Sequence, residues 1–445
     1  MDNAAIKKTK KISIIGAGFT GLTLAYRLAQ QNYKVTLFEK EDVVGGLASS
    51  FCINGSTIEK TYHHIFKSDR YIINLAQELN VEINWLESSL ANYLDGELHS
   101  FSTSIDLLSY SPLSLPSRIR TGLVSLYLQK KMNWTQFENT TAKEWILKYF
   151  GTESYKNIWG PLLKAKFGRY HDLISMAWLW ARIHTRSSSR QGIFGKEYLG
   201  YPEGGFNSIL SKLVQKLNYL SVNIVRNSIV ESVSVSASDN IELYTNDQKF
   251  NFEKVISTVP SPVFAKMISK NQTRKDYIEQ LSNTTYIGTV CLVFTSKQSL
   301  SNYYWHNIND TSFPFLIFVN HTNFVNKKNY NGKNVYYLGG YYPHNHKYFK
   351  ISSQELKDQW FDSLKKIFPN FDTKQILETK IFRSKYAQHI VDTKYKEKIP
   401  SYRTPIKNIY LANFSQIYPE DRGINYAIQQ AEKISKMIQL DYEED

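Results

Sequence analysis

Three glycines near the start of the chain have the spacing of a phosphate-binding loop. Gly16, Gly18 and Gly21 directly follow a β-branched apolar run that is typical of a buried parallel strand. Glycines at this spacing permit a tight turn, let the backbone approach a pyrophosphate, and let the next helix pack closely on the sheet. That helix would present unpaired N–H groups and its positive dipole end to the phosphates. The pattern therefore predicts dinucleotide binding.

The second strand ends in an acidic residue at the position this chemistry requires. Glu39 lies 18 positions after Gly21, close to the roughly 20 expected for a carboxylate that binds a ribose hydroxyl. Lys40 follows, and then Gly45, Gly46 and Leu47. Paired glycines let a second loop approach the same nucleotide. Strand, helix, strand and acid in register favour a nucleotide site over glycines that a loop collects by chance.

With Glu39 and the two glycine loops in place, the chain resembles the FAD-dependent amine-oxidase and protoporphyrinogen-oxidase-like superfamily. Phytoene desaturases and UDP-galactopyranose mutase share that first domain. The resemblance covers nearly the whole chain and is dense at residues 11–69, 201–206 and 409–428. It implies FAD, with its adenosine end on the first βαβ unit. The chain lacks a Cys-His attachment pattern near its ends, which favours non-covalent binding.

A histidine pair follows in the segment 58–69. It is similar to the UDP-galactopyranose mutase segment that runs along the isoalloxazine ring. His64, Ile65 and Phe66 match that pattern, whereas Tyr62 and His63 stand in place of Gly-Ala. An imidazole near the flavin N5 can move a proton or tune the acceptor position. His64 and His63 are therefore the candidate catalytic residues; a surface-loop pair with no task is the alternative.

The C-terminal segment resembles the superfamily's closing flavin motif. A strand ends near Ala412, and Gly423 begins a helix whose positive end would face the flavin pyrimidine. Asn413 and Phe414 stand where the family has Gly-Glu or Gly-Asp, so the usual carboxylate is missing. The resemblance implies the following cofactor-binding residues: Gly16, Gly18, Phe19, Thr20, Gly21, Glu39, Lys40, Gly45, Gly46, Leu47, His64, Ile65, Val230, Asn413, Arg422, Gly423, Ile424 and Asn425.

Three further residues are candidate substrate ligands. Lys166 and Arg169 lie in a segment that resembles the superfamily's substrate domain, where they could hold an anionic group; a solvated helix face is the alternative. Tyr201 opens a Tyr-Pro-Glu-Gly-Gly-Phe turn that resembles the family's second glycine signature. Cys52 and Cys291 form no Cys-x-x-Cys pair, and no metal site is expected.

The composition limits the kinds of partner that we expect the protein to bind. A formal charge of +14 over 445 residues favours anionic partners such as a nucleotide sugar or anionic lipid, and no nucleic-acid-binding motif is present. No apolar run reaches the roughly 18 residues of a membrane span, and no signal-peptide pattern is visible, so we expect a cytoplasmic protein. The basic, amphipathic segment 104–131 could rest on the inner face of a membrane; an ordinary domain helix is the alternative. The oligomeric state is left open.

These patterns predict an α/β fold with two domains. A Rossmann-type FAD-binding domain is assembled from residues 1–85, 201–264 and 401–445. An α+β substrate domain is inserted as a mostly helical piece, 86–200, and a strand-rich piece, 265–400.

The leading functional hypothesis is an FAD-dependent oxidoreductase that abstracts a hydride from a small organic or sugar-linked substrate. The alternative is a redox-neutral nucleotide-sugar mutase of surface-polysaccharide biosynthesis, similar to UDP-galactopyranose mutase. A flavin-binding protein without turnover is a third hypothesis.

Overall fold

The computed structural model describes residues 10–190, 192, 195–237, 239–246, 248–269 and 274–444. These residues form a mixed α/β fold. Its strands are β1 Lys11–Ile15, β2 Lys34–Phe38, β3 Ser50–Ile53, β4 Ser56–Glu59, β5 Ile83–Ser88, β6 Leu90–Leu94, β7 Glu97–Ser100, β8 Glu197–Pro202, β9 Asn223–Val225, β10 Val230–Val235, β11 Ile241–Thr245, β12 Lys249–Phe252, β13 Lys254–Ser257, β14 Tyr286–Ser296, β15 Trp305–Ile308, β16 Ile317–Asn320, β17 Asn334–Tyr342, β18 Ile376–His389 and β19 Ile409–Leu411. Its α-helices are α1 Phe19–Gln30, α2 Arg70–Glu78, α3 Ser104–Ser109, α4 Leu115–Lys130, α5 Ala142–Tyr149, α6 Thr152–Ser154, α7 Gly160–Phe167, α8 Met176–Ser188, α9 Phe206–Tyr219, α10 Ser261–Met267, α11 Lys275–Ser282, α12 Ser353–Ile367 and α13 Ile424–Glu444.

A five-stranded parallel sheet lies in the order β19-β13-β1-β2-β9. Its strand β1 has a neighbour on each side, which explains why Ile12 and Ile14 are fully buried. Because parallel strands all end at the same edge, the loops after β1, β2, β13 and β19 meet there. Helices α1, α9 and α13 share one apolar core with this sheet.

A second sheet has seven strands in the order β18-β14-β17-β16-β15-β6-β7. Its central strand β14 is buried along its whole length. Alternate side chains of a strand point to opposite faces. Val290 and Leu292 accordingly join a core with helix α12, whereas Cys291 and Val293 join the core of the parallel sheet. The strand thereby ties the two sheets together.

Helices α4, α5, α7 and α8 form a third unit around its own apolar core. Phe167, Trp178 and Ile146 are buried at its centre. None of the helices among the described residues combines the length and the apolar composition that a membrane span needs.

The start of the region expected to be mostly helical instead contains strands. Residues 83–100 form β5, β6 and β7, and helices follow from residue 104. Strand β6 pairs in parallel with β15, Leu90 opposite Trp305, while β5 pairs with β8. Strand β6 also pairs with β7 across the local Asp95-Gly96 turn. Strands β8 and β15, by contrast, lie more than a hundred residues away from their partners in sequence, so local periodicity gives little sign of that pairing.

Candidate active site

A cavity of about 1030 Å³ extends from the carboxyl edge of the parallel sheet to helices α7 and α8 and strand β17. Ligand pockets commonly measure about 300–1,000 Å³, so this cavity is large. Loops after β1, β2, β13 and β19 line one part of it. The segment 60–66 and the start of α13 line its middle.

Two glycine loops form the floor of the cavity with backbone alone. Gly45 N–H donates to the Ala17 carbonyl at 2.7 Å, and Gly18 and Gly45 form a parallel bridge. A Cβ atom added to Gly21 would lie 1.9 Å from the Gly16 oxygen, whereas one added to Gly18 would meet no atom within 4 Å. Helix α1 has no side-chain cap at its start, so its first N–H groups are available to an anion. Gly21 thus has a packing role beneath the loop, and Gly18 borders open space.

Glu39 lies beside this floor with its carboxylate already oriented. Its Oε2 accepts the Ala17 N–H at 2.8 Å and its Oε1 accepts the Glu41 N–H at 3.0 Å. A carboxylate has about four acceptor positions, so both oxygens keep capacity for a ligand hydroxyl. Lys40 is exposed and pairs with Glu41 at 3.1 Å. Val230 is buried and lines the same end of the cavity.

The histidine pair lines the middle of the cavity in neutral form. His63 Nδ1 lies 2.7 Å from the Thr61 carbonyl oxygen, which can only accept, so Nδ1 carries the proton and Nε2 is the ring's acceptor. Burial lowers the pKa of His63 to about 4, with a smaller effect from the Arg422 charge. His64 Nδ1 lies 3.2 Å from the Tyr304 hydroxyl, and burial lowers its pKa to about 3. Both rings are therefore uncharged at pH 7.

In the C-terminal segment, the side chains of Asn413 and Asn425 hold neighbouring loops in place. Asn413 donates from Nδ2 to the Val259 carbonyl and to Ser261 Oγ, and its Oδ1 accepts from the backbone N–H and hydroxyl of Ser415. Asn425 Oδ1 accepts the Tyr71 N–H at 2.8 Å, at the start of α2. These amides stabilise the loops, so the N-terminus of α13, beginning after Gly423, is what faces the cavity.

A cluster of cations forms the wall contributed by α7, α8 and the loop before α13. Lys166 and Arg182 both pair with Asp421, and the second contact measures 3.1 Å. Burial lowers the pKa of Lys166 to about 7, while the two cations hold the pKa of Asp421 far below its usual range. Arg422 donates to the Tyr341 hydroxyl at 2.8 Å, and its buried Nε has no partner among the described residues.

Arg186 completes this wall and pairs with Glu197 at 3.0 Å. Four cations, counting Lys166 and Arg422, therefore face two carboxylates. We call Lys166, Arg182, Arg186 and Arg422 the cation wall.

Most of the sequence-predicted site residues border the one cavity. They are Gly16, Gly18, Phe19, Thr20, Glu39, Lys40, Gly45, Gly46, Leu47, His63, His64, Ile65, Lys166, Val230, Asn413, Arg422, Gly423, Ile424 and Asn425.

Two predicted substrate ligands, Arg169 and Tyr201, do not line the cavity. Arg169 is exposed and donates to the Tyr170 hydroxyl at 2.7 Å, because it lies beyond the end of α7, outside the cavity. Tyr201 is buried and donates to Glu59 Oε2 at 2.7 Å. The Glu59 carboxylate also accepts the Phe206 N–H at the start of α9. Tyr201 therefore satisfies a buried carboxylate behind the cavity.

Sequence reasoning missed Arg182, Arg186 and Asp421. The two arginines are four residues apart on α8, hence on one face of the helix, and that spacing was the only local signal. Asp421 contacts Arg182 from 239 positions away.

Comparisons with known proteins give the family and the fold of this chain. The family model for flavin-containing amine oxidoreductases matches residues 19–433. Coproporphyrinogen III oxidase of Staphylococcus aureus is 25% identical over 325 residues, which cover 65% of this chain and 68% of that protein. The crystal structure of reduced UDP-galactopyranose mutase superposes with a TM-score of 0.75 at 18% identity, covering 97% of this chain and 96% of the other. A redesigned putrescine oxidase superposes with a TM-score of 0.74 at 14% identity, covering 97% and 99%.

The family match spans the glycine-loop helix, the histidine segment, the cation wall and the start of α13. The chain therefore belongs to the flavin-containing amine oxidoreductase family and is an FAD-dependent oxidoreductase.

Proposed function

We propose that FAD binds non-covalently along the cavity and that the enzyme oxidises a small anionic substrate held by the cation wall. The adenosine end would lie at Glu39 and Val230, and the flavin end between the segment 61–66 and the start of α13. When bound, FAD supplies the acceptor for the hydride that leaves the substrate. This proposal rests on the residues that form each part of the cavity.

The glycine loops fit a pyrophosphate because they leave room for one. Gly18 borders open space, and Gly46 approaches it so closely that an added Cβ would lie 3.4 Å from the Gly18 Cα. The uncapped start of α1 adds N–H donors and a positive dipole end. A diphosphate is the ligand group that this combination of donors, space and potential suits.

In this proposal the FAD-binding domain combines three stretches of sequence. One parallel sheet contains strands from all three stretches: β1 and β2 from residues 11–38, β9 and β13 from residues 223–257, and β19 from residues 409–411. The seven-stranded sheet and helices α4 to α8 would form the substrate domain. The cavity then lies where the two domains meet.

The N-terminus of α13 would stabilise the negative charge that a reduced flavin carries. Helix dipoles favour anions at their N-termini, and α13 begins directly after Gly423 in the cavity wall. His63 would serve as a proton acceptor through Nε2, since its Nδ1 is committed to the Thr61 carbonyl.

The observation that supports an anionic substrate is the excess of positive charge in the cation wall. Among the described residues, the ion pairs of this wall involve Asp421 and Glu197 alone. Even without Lys166, whose pKa is about 7, three half-buried guanidinium groups face these two carboxylates. An uncompensated charge removed from water costs several kcal/mol, and a substrate carboxylate or phosphate would offset that cost. Arg422 Nε, buried without a partner among the described residues, is a donor still available for such a group.

The experiment is anaerobic reduction of the bound flavin by a substrate panel. The panel contains carboxylated porphyrinogens, primary amines and nucleotide sugars, each anionic member matched by a neutral ester or a dephosphorylated analogue. We expect an anionic compound to bleach the visible flavin absorbance and its neutral counterpart to react poorly. Faster reaction of the neutral members would contradict the proposal.

Arg182→Gln is the variant that tests the wall, because Asp421 keeps Lys166 as its partner. Loss of one charge-assisted hydrogen bond costs about 1.5–3 kcal/mol, so KM for the anionic substrate should rise about 10- to 100-fold. Arg169→Gln is the matched control, since Arg169 lies outside the cavity, and its KM should not change.

A nucleotide-sugar mutase is the second candidate. The similarity to UDP-galactopyranose mutase and a wall of cations that also suits a diphosphate favour it. Dithionite-reduced protein should then interconvert the pyranose and furanose forms of a UDP-sugar without net oxidation. Absence of turnover across a panel of nucleotide sugars would exclude this candidate.

A further inference from the structure

Helix α4 carries an exposed row of apolar side chains. Leu115, Ile119, Leu123 and Tyr127 recur every fourth residue, and each keeps 49–63% of its surface exposed. Residues four apart lie on one side of a helix. The opposite side is packed, since Leu128 is fully buried in the core of the helical unit. The helix thus has a covered face and an apolar face with no partner among the described residues.

Helix α3 extends this surface. Ile105 and Leu108 are 60% and 50% exposed. A Cβ added to Gly122 would lie 3.7 Å from Leu107 Cδ2, so α3 packs directly beside α4. Contiguous apolar patches of this kind on a protein surface mark interaction sites. We call Ile105, Leu108, Leu115, Ile119, Leu123 and Tyr127 the α3–α4 face.

Basic residues flank the α3–α4 face. Arg118, Arg120, Lys130 and Lys131 take part in none of the ion pairs among the described residues, although the Arg118 charge helps to lower the pKa of Glu153. Arg118 donates to the carbonyls of Leu113 and Leu108, and Arg120 to those of Tyr149 and Lys148. Carbonyl oxygens orient these guanidinium groups without neutralising them.

The acids of this region are committed to capping and loop contacts. Asp106 accepts the N–H groups of Ser102 and Thr103, and Glu153 accepts from Ser114. Residues 103–153 hold six Lys and Arg against four Asp and Glu. The α3–α4 face therefore combines exposed apolar surface with a net positive charge.

We propose that the α3–α4 face docks on an anionic lipid surface. Apolar side chains enter the headgroup boundary while flanking Lys and Arg attract anionic headgroups. The main alternative occupant is a second copy of this chain. A two-fold interface centred on this face would bring the four cations of each copy into one contact region, and like charges brought close together oppose association. Anionic lipid complements both the apolar row and its charge.

The experiment measures binding of the full-length FAD-loaded protein to vesicles by sedimentation. Vesicles with about one third phosphatidylglycerol in phosphatidylcholine should bind the protein, and pure phosphatidylcholine should bind it at least about tenfold more weakly. Binding should also fall when salt is raised to about 1 M, where the Debye length is about 3 Å. Equal binding to both vesicle types would overturn the proposal.

The double variant Ile119→Asp/Leu123→Asp should reduce binding to the anionic vesicles by about tenfold or more. Leu440→Asp is the matched control, because Leu440 is 52% exposed on α13. This variant should bind the vesicles as the unmodified protein does. Flavin absorbance and thermal unfolding of each variant show whether it is folded. A lipid-free dimer that the double variant converts to monomers would assign the face to a second copy and overturn the lipid proposal.

Discussion

Replacing Gly18 with alanine should separate cofactor binding from folding. Gly18 has φ −75° and ψ −177°, a conformation open to any residue. An added Cβ meets no atom within 4 Å, so the variant needs no rearrangement of the protein. Alanine also restricts the unfolded chain, and we expect the apoprotein to gain about 0.4–1 kcal/mol of stability.

The same methyl group would occupy the space that we assign to the pyrophosphate. Displacing the phosphates loses about two charge-assisted hydrogen bonds from the backbone at about 1.5 kcal/mol each. The resulting loss of about 3 kcal/mol corresponds to FAD affinity lower by a little more than 100-fold. Stability and affinity thus change in opposite directions.

Titration of apoprotein with FAD, followed by flavin fluorescence, measures the affinity; denaturant unfolding of the apoprotein measures the stability. Gly122→Ala is the control, since Gly122 lies in α4, where an added Cβ has an ordinary contact at 3.7 Å. It should leave FAD binding unchanged. If Gly18→Ala bound FAD within about threefold of the original affinity, the assignment of the pyrophosphate to this loop would be wrong.

Three further predictions follow from hydrogen bonds and burial. Tyr201→Phe should lower the free energy of unfolding by about 1–3 kcal/mol, because the buried Glu59 loses a donor, and should leave KM unchanged; a raised KM would return Tyr201 to the substrate site. Glu39→Gln should weaken FAD binding by about tenfold in fluorescence titrations, through loss of a charged acceptor for the ribose; unchanged affinity would remove Glu39 from the site. The free energy of unfolding should decrease as the pH falls from 6.5 towards 4, because buried histidines such as His306, whose pKa burial lowers to about 3, take up protons only when the chain unfolds. Each such histidine contributes a slope of about 1.4 kcal/mol per pH unit to the free energy of unfolding. His306→Gln should remove the contribution of one histidine from that slope, as measured by denaturant titrations across this pH range. An unchanged slope would refute the assignment.

The parts of the fold that sequence predicts are those with local signals. The apolar run before Gly16 and the alternation that ends at Glu39 lie in β1 and β2, and α1 lies between them. Strand β6 was not predicted, although it pairs with β7 across the local Asp95-Gly96 turn; its other partner, β15, begins more than 200 residues later. Its buried Asn92, bonded to Asn307, also hides the apolar pattern of a strand.

In the candidate site too, the parts that the sequence predicts are those with local signals. Glycine loops and a helix start are local in sequence, and the structure brings them to one cavity. The cation wall depends on Asp421 meeting Lys166 and Arg182 from more than 200 positions away, which no spacing rule reveals. The direction of the Tyr201 side chain was equally hidden, because Glu59 attracts it from 142 positions earlier.

The order of strands in the parallel sheet also sets when the protein can fold. Strand β1 is the first element of the chain that the structure describes. Its neighbour β13 begins only at residue 254, and β19, which pairs with β13, begins at residue 409. Ribosomes add about 5–20 residues per second, so β1 emerges about 20–80 s before β19 exists. During that time its apolar edge has no complete sheet to join, which is a setting that favours aggregation. The nascent chain should therefore depend on chaperones until synthesis is almost finished, and the FAD site can form only afterwards.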